Sequence, residues 1–401
     1  MTRNQLLHLA DLHLGAQPPE LLRETFPHLA ERLANARNRF WDRLAKWLET
    51  PECPVGLVLV AGDLFDHHSP PPDVTEPVVH ALARICARGI PVVTVPGNHD
   101  EYSYPKVIYR QRQWPGRLVT HWAVEEVLHL PPGQLFSRPL RIFSACFRVG
   151  HNSPGQLVEL PHAPQDSFNV LLLHGTVADP GLLSPELVES ERCFRISLAE
   201  AARQGYHYIA LGHIHRFRQW TLPGAVAVYP GPPLGPSPND PGSGQLVLVG
   251  EAHPESPENS VPRATVSPIA PVEILDCRWS VLKFEITPLD KPEDLVARIR
   301  PRMPEGNEII LSAIVAGQSA SQSFLADAQN LLIQERLPVL LLGEKVHPIP
   351  SVDIGLLARE QSLLGEWVRQ WQEWQQKENP DPQFAQLVLW EALTSFRYQE
   401  G

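Results

Sequence analysis

Over the first 250 residues of the chain, short apolar runs alternate with longer amphipathic stretches. Segments 30–49 and 74–88 have the mixture of polar and apolar residues that is typical of helices. Strands and helices in repeated alternation predict a layered α/β domain over residues 1–250, with ligands bound beyond the carboxyl ends of the strands. The runs that predict strands are residues 6–10, 55–61, 91–95, 141–146, 169–173, 208–211, 225–229 and 245–249.

The pattern changes after residue 250. Residues 251–271 combine prolines with Ser, Glu and Asn and show no periodicity, which predicts a surface linker. Residues 272–286 then predict a strand or a hairpin. Helix, strand, helix and strand are expected in order over residues 295–342. We interpret residues 272–346 as a second, smaller α/β domain.

A third section, residues 352–401, carries apolar residues at helical spacing. Two interpretations of this stripe stay open: it packs on the second domain, or it docks the coiled coil of a partner. The stripe consists of Leu356, Leu357, Leu363, Leu364, Trp367, Val368, Trp371 and Trp374.

Composition restricts the class of protein. The 401 residues are 43% hydrophobic, which is enough to bury a large core in more than one domain. No stretch approaches the roughly 18–20 uncharged apolar residues of a membrane span, and the N-terminus lacks the pattern of a secretory signal. The five cysteines are scattered without a CxxC pair, which favours reduced thiols. We therefore expect a cytoplasmic protein without a membrane anchor.

The net charge of −11 at pH 7 argues against a free-standing, high-affinity binder of nucleic acid, because such proteins are usually basic. It does not exclude a nuclease, since local arginines, metal ions or a partner subunit can provide the phosphate contacts. The net charge thus limits unassisted binding to nucleic acid, but it does not decide which reaction the protein catalyses.

Polar clusters follow several of the predicted strands, each beside a glycine. A single cluster of this kind is usually a turn or a helix cap, but recurrence at one edge of a sheet predicts one shared site. Carboxylates, imidazoles and an amide oxygen without thiolate suit Mn²⁺, Fe²⁺ or Zn²⁺. The ligands are too numerous for one ion, and two ions about 3.5–4 Å apart are the usual arrangement for phosphoryl transfer. The clusters are Asp11 with His13, Asp63 with Asp66, Asn98 with His99, His174, and His213 with His215.

The motifs DLHLG, GDLFD, GNHD, HG and GHIH occur in this order between Asp11 and Arg216. In this order they resemble those of the calcineurin-like metallophosphoesterases. The spelling of DLHLG, GDLFD and ALGHIHR is similar to that of the SbcD-type DNA repair nucleases, including the YhaO-like bacterial branch. The resemblance covers a little over half of the chain. It implies a four-layer α-β-β-α sandwich over residues 1–250, followed by a small α/β capping domain and C-terminal helices.

The resemblance also implies which residues hold two divalent ions. Mn²⁺ is expected first, with Fe²⁺ and Zn²⁺ as alternatives, and Asp63 would bridge the two ions. The other ligands would be Asp11, His13 and His215 for one ion, and Asn98, His174 and His213 for the other.

Two further residues would act in catalysis by the same resemblance. His99 would be the general acid or the stabiliser of the transition state, and Asp66 would orient it. The loop at residues 229–233 departs from the family pattern, which often has Gly-Ser-Pro there. Pro232 removes a hydroxyl and a backbone donor.

Aromatic and basic residues are interleaved in segments 101–117 and 216–220, near the GNHD and GHIH motifs. Such a mixture favours contact with a single or frayed nucleic-acid strand, although an ordinary solvated face has the same composition. The aromatic residues of the first segment are Tyr102, Tyr104, Tyr109 and Trp114. The candidates for nucleic-acid binding are Tyr104, Arg110, Arg112, Arg216 and Arg218.

Function and partners follow from the same evidence. The resemblance implies a metal-dependent DNA nuclease of DNA repair, with an exonuclease expected first and an endonuclease as the alternative mode. The complete set of ligands argues against a protein without catalysis. The resemblance implies an SMC-like ATPase as partner, and a second copy of the chain is another candidate. The alternatives are a phosphoesterase for smaller substrates, or an interaction subunit that recruits an ATPase to DNA.

Overall fold

The computed structural model describes residues 3–153, 156–182, 193–252, 263–270, 274, 277–303, 309–319, 321, 323–348 and 354–397. The chain divides into two compact units, Met1–Trp279 and Ser280–Gly401. Both units combine strands with helices, which confirms the predicted α/β class.

Two sheets and the helices that cover them make up the first unit. Its helices are α1 (Glu20–Thr25), α2 (Pro27–Leu48), α3 (Pro72–Ala87), α4 (Ile108–Gln111) and α5 (Leu198–Arg203). Its strands are β1 (Gln5–Leu9), β2 (Val55–Ala61), β3 (Val92–Val95), β4 (Arg117–Leu118), β5 (Glu125–Leu130), β6 (Leu140–Ser144), β7 (Phe168–Val177), β8 (Phe194–Ile196), β9 (Tyr208–Gly212), β10 (Arg218–Leu222), β11 (Ala225–Tyr229), β12 (Leu246–Glu251) and β13 (Ala264–Ile269).

The central strands of both sheets are parallel. The first sheet has the order β13-β12-β1-β2-β3-β4, and the second has β10-β11-β9-β7-β6-β5 with β8 paired to β7. Strands β1 to β4 run parallel to one another, as do β6, β7, β9 and β11. Central parallel strands are covered on both faces, which explains why they are apolar throughout. Their carboxyl ends meet at one edge, where the connecting loops can share a site.

Three clusters of buried side chains separate four layers. Between the sheets, Leu6 of β1 packs in one cluster with Val170 of β7. The adjacent residue Leu7 points to the opposite face and packs with Leu82 of α3. Leu198 of α5 belongs to the cluster on the outer face of the second sheet. The layers are therefore α-β-β-α, as the sequence predicted.

The predicted strands of this unit are all present, with small differences at their ends. Strands β4, β5, β8 and β10 escaped the sequence analysis because they are short or half-exposed and mix polar with apolar residues.

The linker predicted over residues 251–271 is wrong in its described C-terminal part. Ala264–Ile269 pairs antiparallel with β12 as an edge strand, a position where Pro268 removes no interior ladder bond. Residues 253–262 of the predicted linker lie outside the described residues.

The second unit contains a three-stranded sheet and several helices. The strands are β14 (Arg278–Ile286), which begins within the first unit, β15 (Ile309–Ser319) and β16 (Val339–Pro348), in that order across the sheet. The helices are α6 (Pro292–Ile299), α7 (Phe324–Gln334), α8 (Ile354–Leu357), α9 (Leu363–Glu378) and α10 (Pro382–Arg397), with a 3₁₀ turn at Arg300–Arg302.

Two separate clusters of buried side chains hold this unit. Helices α6 and α7 cover the sheet through residues such as Leu295 and Leu332. Helices α8 to α10 have their own cluster around Val368 and Leu389, against which Trp367 and Trp371 pack. Because the clusters share no residue, we propose that segments 272–346 and 352–401 are distinct modules. Among the described residues, no helix has the length and apolar character to span a membrane.

Candidate metal centre

The predicted polar clusters meet at the carboxyl edge of the two sheets. Strands β1, β2 and β3 of the first sheet and β7 and β9 of the second each deliver one cluster. Only the pairing of distant segments brings them together, since these strands are widely spaced in the sequence.

The first ligand group contains Asp11, His13 and His215, whose candidate ligand atoms lie within 4.8 Å of one another. Nε2 of His13 is 3.1 Å from Nε2 of His215. Nδ1 of His13 donates to Asp66 at 3.1 Å, and Nδ1 of His215 donates to Asp240. A neutral ring held in this way presents the lone pair of Nε2. Two ring nitrogens that face each other at this distance need a proton or a metal cation between them.

The second ligand group contains Asp63, His174 and His213, again within 4.8 Å. Nδ1 of His174 donates to the Ala61 carbonyl at 2.9 Å, which turns its Nε2 toward the group. Oδ1 of Asn98 lies 2.9 Å from that Nε2 and 3.0 Å from Nδ1 of His213. Asn98 therefore joins this group, and its oxygen faces two imidazole nitrogens.

Asp63 lies between the two groups. Its Oδ2 is 3.7 Å from Nε2 of His13 and 3.4 Å from Nε2 of His174. Its Oδ1 accepts the backbone N–H of His99 at 2.9 Å. One carboxylate thus contacts both ligand groups and the loop that carries His99.

The backbone of several ligand residues is left-handed. Such φ angles are uncommon outside glycine, and surrounding structure maintains them mainly at functional sites. The residues and their φ angles are Asp11 (57°), His13 (45°), Asp63 (47°) and His213 (111°).

Glycine at position 212 is required by close packing. A Cβ atom there would lie 1.7 Å from the carbonyl oxygen of Ala61, the same oxygen that accepts the hydrogen bond of His174. Gly212 therefore allows the end of β9 to touch the end of β2 across the two sheets.

The residues present fit a pair of divalent ions. Oδ2 of Asp11 is buried and has no hydrogen-bond partner among the described residues, and buried polar atoms are rarely left so. A metal cation could also lie between the facing nitrogens of His13 and His215. Oxygen and imidazole donors without thiolate suit Mn²⁺, Fe²⁺ or Zn²⁺.

The charges of the cluster shift its pKa values in the metal-free protein. Burial lowers the pKa of His174, but Asp63 and Asp11 outweigh burial and raise it to about 10. Burial also lowers the pKa of His215, and the hydrogen bond to Asp240 with the charge of Asp11 raises it to about 9. For His213, burial and the adjacent His174 lower the pKa to about 3. Burial raises the pKa of Asp63, but His174 and His13 hold it well below its usual range.

His99 lies beside the first ligand group and remains open to solvent. Its side chain is 42% exposed, and its ring is 4.6 Å from that of His13. Nδ1 of His99 donates to the backbone carbonyl of Asp66 at 3.1 Å, whereas the nearest Asp66 carboxylate oxygen is 3.8 Å away. The predicted pairing with Asp66 thus occurs through the main chain, because the carboxylate of Asp66 is occupied by His13.

Two acidic residues of the site were missed by sequence analysis. Asp240 holds His215, but it stands in the sequence PSPNDPGSG, where nothing distinguishes it from an ordinary turn residue. Asp100 is part of the GNHD motif and is fully buried. It accepts hydrogen bonds from the backbone of Gly97 and Phe65 and from the Tyr109 hydroxyl at 2.6 Å. Asp100 thereby fastens the loop that carries Asn98 and His99.

The candidate nucleic-acid residues have different surroundings. Arg110 lies over the ring of Tyr102 at 4.5 Å. Tyr104 stacks on His68 at 4.3 Å, and Arg112 pairs with Glu76 at 2.8 Å. Arg216 and Arg218 are both exposed. Arg218 is the first residue of β10, and Arg216 lies just before the strand.

Two aromatic residues of the same segment lie in the core. Tyr109 and Trp114 are buried, so their rings do not belong to a stacking surface. Sequence composition could not distinguish them from Tyr102 and Tyr104, because burial depends on how the segment after the GNHD motif folds back.

The loop that contains Pro232 is closed on itself. The Pro232 carbonyl accepts the backbone N–H of Ser243 at 2.7 Å, and the Gly235 N–H donates to the Pro241 carbonyl at 3.1 Å. These bonds bring Asp240, which lies between the bonded segments, to His215. The loop thus contributes a carboxylate to the edge of the first ligand group.

A two-sheet sandwich with this cluster at its carboxyl edge is the arrangement of a metallophosphoesterase. The family model described as calcineurin-like phosphoesterase matches residues 5–217. The chain belongs to this family, and the resemblance of its motifs is confirmed. The family binds a dinuclear metal site, and the clustered Asp and His residues stand where such a site would lie.

Curated relatives match over the same region. The chain is 24% identical over 258 residues to a DNA double-strand break repair protein Mre11 of Methanopyrus kandleri, which covers 57% of this chain and 48% of the relative. It is 27% identical over 240 residues to the protein of that name from Archaeoglobus fulgidus, covering 56% and 48%. The chain thus spans about half the length of the curated relatives it matches.

Among solved structures, the phosphopantetheinyl hydrolase PptH of Mycobacterium tuberculosis is similar with a TM-score of 0.31 and 16% identity. That match covers 58% of this chain and 91% of the hydrolase.

Proposed function

We propose that the protein is a dinuclear-metal-dependent nuclease that hydrolyses phosphodiester bonds of DNA, as an exonuclease of DNA repair. The observation that carries the proposal is the position of Asp63, whose carboxylate contacts both ligand groups. A bridging carboxylate between two sets of nitrogen and oxygen ligands is suited to a pair of ions that act on one phosphate. The similarity to proteins named for DNA double-strand break repair supports DNA as the substrate.

The ligand groups would each hold one ion. Asp11, His13 and His215 would form one site, Asn98, His174 and His213 the other, and Asp63 would serve both. When bound, such ions supply Lewis acidity toward phosphate oxygens and lower the pKa of water toward about 7. We propose Mn²⁺ as the ion in use, with Fe²⁺ and Zn²⁺ compatible with the same ligands.

His99 would serve the reaction without binding a metal. Its Nδ1 is held by the Asp66 carbonyl, which leaves Nε2 free to deliver a proton to the leaving oxygen or to stabilise charge on the phosphate. General acids of this kind contribute on the order of 10²–10⁴-fold. Asp66 would position two rings at once, His99 through its carbonyl and His13 through its carboxylate.

The partner and the location of the protein belong to the same proposal. An SMC-like ATPase would bind the C-terminal segment, where Leu356 and Leu363 are 61% and 74% exposed, and a second copy of the chain is the other candidate. A cytoplasmic location is supported by the cysteines, none of which forms a disulfide bond.

A phosphodiesterase for smaller substrates is the second candidate function. It is favoured by the net charge of −11, which weakens unassisted binding to DNA. An interaction subunit without catalysis is disfavoured, because the buried Oδ2 of Asp11 is costly unless an ion satisfies it.

The test is Mn²⁺-dependent cleavage of end-labelled linear DNA, measured beside hydrolysis of bis-p-nitrophenyl phosphate. We expect the wild type to cleave both substrates and His99→Ala to lose about 10²-fold or more on each while it still binds Mn²⁺. Cleavage of the small diester alone would favour the second candidate function. Loss of bound Mn²⁺ in His99→Ala would contradict the role given to His99.

A further inference from the structure

A ladder of alternating guanidinium and aromatic groups lies on the first unit. We call Arg110, Tyr102, Arg148, Trp122 and His151 the stacking ladder. Cζ of Arg110 is 4.5 Å and Cζ of Arg148 is 5.6 Å from the centroid of the Tyr102 ring. Arg148 is also 5.5 Å from the Trp122 ring, and Trp122 stacks on His151 at 4.3 Å with 16° between the planes.

The stacking ladder lies at the same edge of the sandwich as the candidate metal centre. Tyr102 follows β3, Trp122 follows β4, and Arg148 with His151 follows β6. Strand β4 is parallel to β3, and β6 is parallel to β7, so these loops all leave the carboxyl ends of the strands. The same edge carries the loop of Asn98 and His99 and the end of β7 with His174.

A direct contact joins the ladder to the GNHD loop. Glu101, the residue after Asp100, is fully buried and accepts the backbone N–H of Val149 at 2.8 Å. The loop that carries Arg148 and His151 is therefore fastened to the loop that carries His99. A strand that rests on the ladder would lie next to the candidate metal centre.

The stacking ladder includes aromatic surface that is exposed to solvent. Trp122 is 45% exposed, and the adjacent Val149 and Leu157 are 48% and 55% exposed. Beside the ladder lies a hollow of about 550 Å³, a size typical of small-molecule sites. Its lining combines flat and apolar groups with hydrogen-bonding groups, and includes Trp122, His151, Asn152, Leu157, Glu159 and Phe194.

We propose that the stacking ladder binds an unpaired nucleic-acid strand that flanks the scissile phosphodiester. A base stacks on the exposed end of the ladder, where Trp122 supports the ring of His151, and Arg148 and Arg110 contact the backbone phosphates. This inference rests on the proposed nuclease function and narrows its substrate to DNA with a single-stranded or frayed end. In a duplex the bases are stacked on each other, and their faces are not available to Trp122.

This mode of binding suits an acidic chain. Stacking on an aromatic ring does not depend on the net charge, which is −11 here. Two arginine–phosphate contacts would give a shallow salt dependence, with a slope of log K against log[salt] of about −1.4 for a single strand.

The test uses the full chain with a fluorescein-labelled oligothymidine, with binding measured by anisotropy in EDTA and cleavage measured separately in Mn²⁺. Trp122→Ala should lower the affinity for oligothymidine and the rate of its cleavage about 5- to 100-fold each. Trp122→Phe keeps an aromatic ring and should retain most of the affinity and most of the cleavage rate. Bis-p-nitrophenyl phosphate has no strand beyond its phosphate that could extend along the ladder, so its hydrolysis should fall less than twofold in Trp122→Ala. Arg148→Ala should weaken oligothymidine binding and flatten its salt dependence.

Arg203→Ala is the matched control for Arg148→Ala. Arg203 is an exposed arginine at the end of α5, ahead of the amino end of β9, and its loss should leave oligothymidine binding as in the wild type.

The outcomes separate the two proposals. Oligothymidine binding that depends on Trp122 without any cleavage would sustain the ladder as a strand-binding surface and contradict the nuclease. Cleavage that is equal in wild type and Trp122→Ala would overturn the ladder and leave the nuclease intact. An equal loss on oligothymidine and on the small diester would also overturn it, because Trp122 would then act by supporting the site. Failure of the wild type to bind oligothymidine at all would refute the ladder.

Discussion

Three imidazoles of the ligand groups are each held at the nitrogen that points away from the cluster. Asp66 holds His13, the Ala61 carbonyl holds His174, and Asp240 holds His215. A hydrogen bond at Nδ1 fixes the orientation of the ring and leaves Nε2 as the ligand atom, and a carboxylate also makes the ring a stronger donor. These outer contacts are therefore part of the site.

Asp240→Asn should lower the affinity for Mn²⁺ about 10-fold or more, because a neutral amide holds His215 less firmly than a carboxylate does. Calorimetric titration of the metal-free protein with Mn²⁺ measures this. Asp166→Asn is the control, since Asp166 is exposed in the turn before the amino end of β7. Equal affinities in the two variants would contradict a positioning role for Asp240.

His207 is a buried histidine that is outside the ligand groups. It accepts the backbone N–H of Asn169 at 3.0 Å through Nδ1. Burial, with the charge of Arg138, lowers its pKa from 6.5 to about 4. The unfolded chain binds a proton at this residue below about pH 6.5, whereas the folded protein does so only near pH 4. Its contribution to stability is thus present above pH 6.5 and is lost as the pH falls toward 4.

His207→Asn keeps an acceptor near the position of Nδ1 and cannot titrate. We expect the free energy of unfolding of the wild type to fall by about 1–2 kcal/mol more than that of His207→Asn between pH 7 and pH 5. Urea unfolding of the metal-free proteins at the two pH values measures this. His207→Ala should be less stable at both pH values but should show the shallower pH dependence of His207→Asn. Equal pH dependence in the wild type and His207→Asn would rule out this role.

At the scale of elements, the contact between the ends of β2 and β9 sets the spacing of the two sheets at the site. The Ala61 carbonyl at the end of β2 meets Gly212 at the end of β9 and also holds His174 of β7. One backbone oxygen therefore aligns three strands from both sheets. This explains why a glycine precedes the His213–His215 pair.

Gly212→Ala should destabilise the fold by about 3 kcal/mol or more, because the added methyl group would meet a backbone oxygen that cannot move aside. Gly133→Ala is the matched control, since Gly133 has a φ of +80° and no neighbouring atom within 4 Å of an added Cβ. The free energy of unfolding of Gly133→Ala should fall by only about 1–2 kcal/mol, which is the cost of an unfavourable backbone conformation for a residue with a side chain. Urea unfolding compares the two, and a Gly212→Ala protein as stable as Gly133→Ala would contradict the close approach.

The apolar stripe of the C-terminal helices is partly buried by contacts between these helices. Trp371 donates its indole N–H to the Ala385 carbonyl of α10 at 3.0 Å, and Trp367 packs in the same cluster. Part of the tryptophan stripe is therefore covered by α10. The proposed partner would therefore contact outer residues such as Leu363 and Phe384, which are exposed.

At the scale of the whole molecule, the net charge and the architecture have to be reconciled with the polyanionic substrate that we propose. The chain carries a net charge of −11, so long-range attraction to DNA is weak and short-range contacts have to supply the affinity. The proposed stacking ladder and the proposed partner subunit would be two sources of such contacts.

The sequence by itself determined the class of fold and the family, and it supplied the candidate ligands at the ends of the central strands. Central parallel strands must be apolar on both faces, so their runs were visible without a structure, and five of the runs are followed by the polar residues that reach the carboxyl edge. The edge strand β13 was hidden, because Ala264–Ile269 has one exposed face and a proline, and it follows a segment rich in the same residues.

Only the tertiary structure decided the contacts between segments that carry no shared pattern. The pairing of Asp240 with His215, the attachment of Asp66 to His13, and the burial of Tyr109 beside Asp100 all depend on how loops fold back onto the sheets. The ladder from Arg110 to His151 likewise joins three loops that have only the edge of the sandwich in common. Periodicity records which face of a strand is buried, whereas a loop side chain is placed by neighbours that are distant in the sequence.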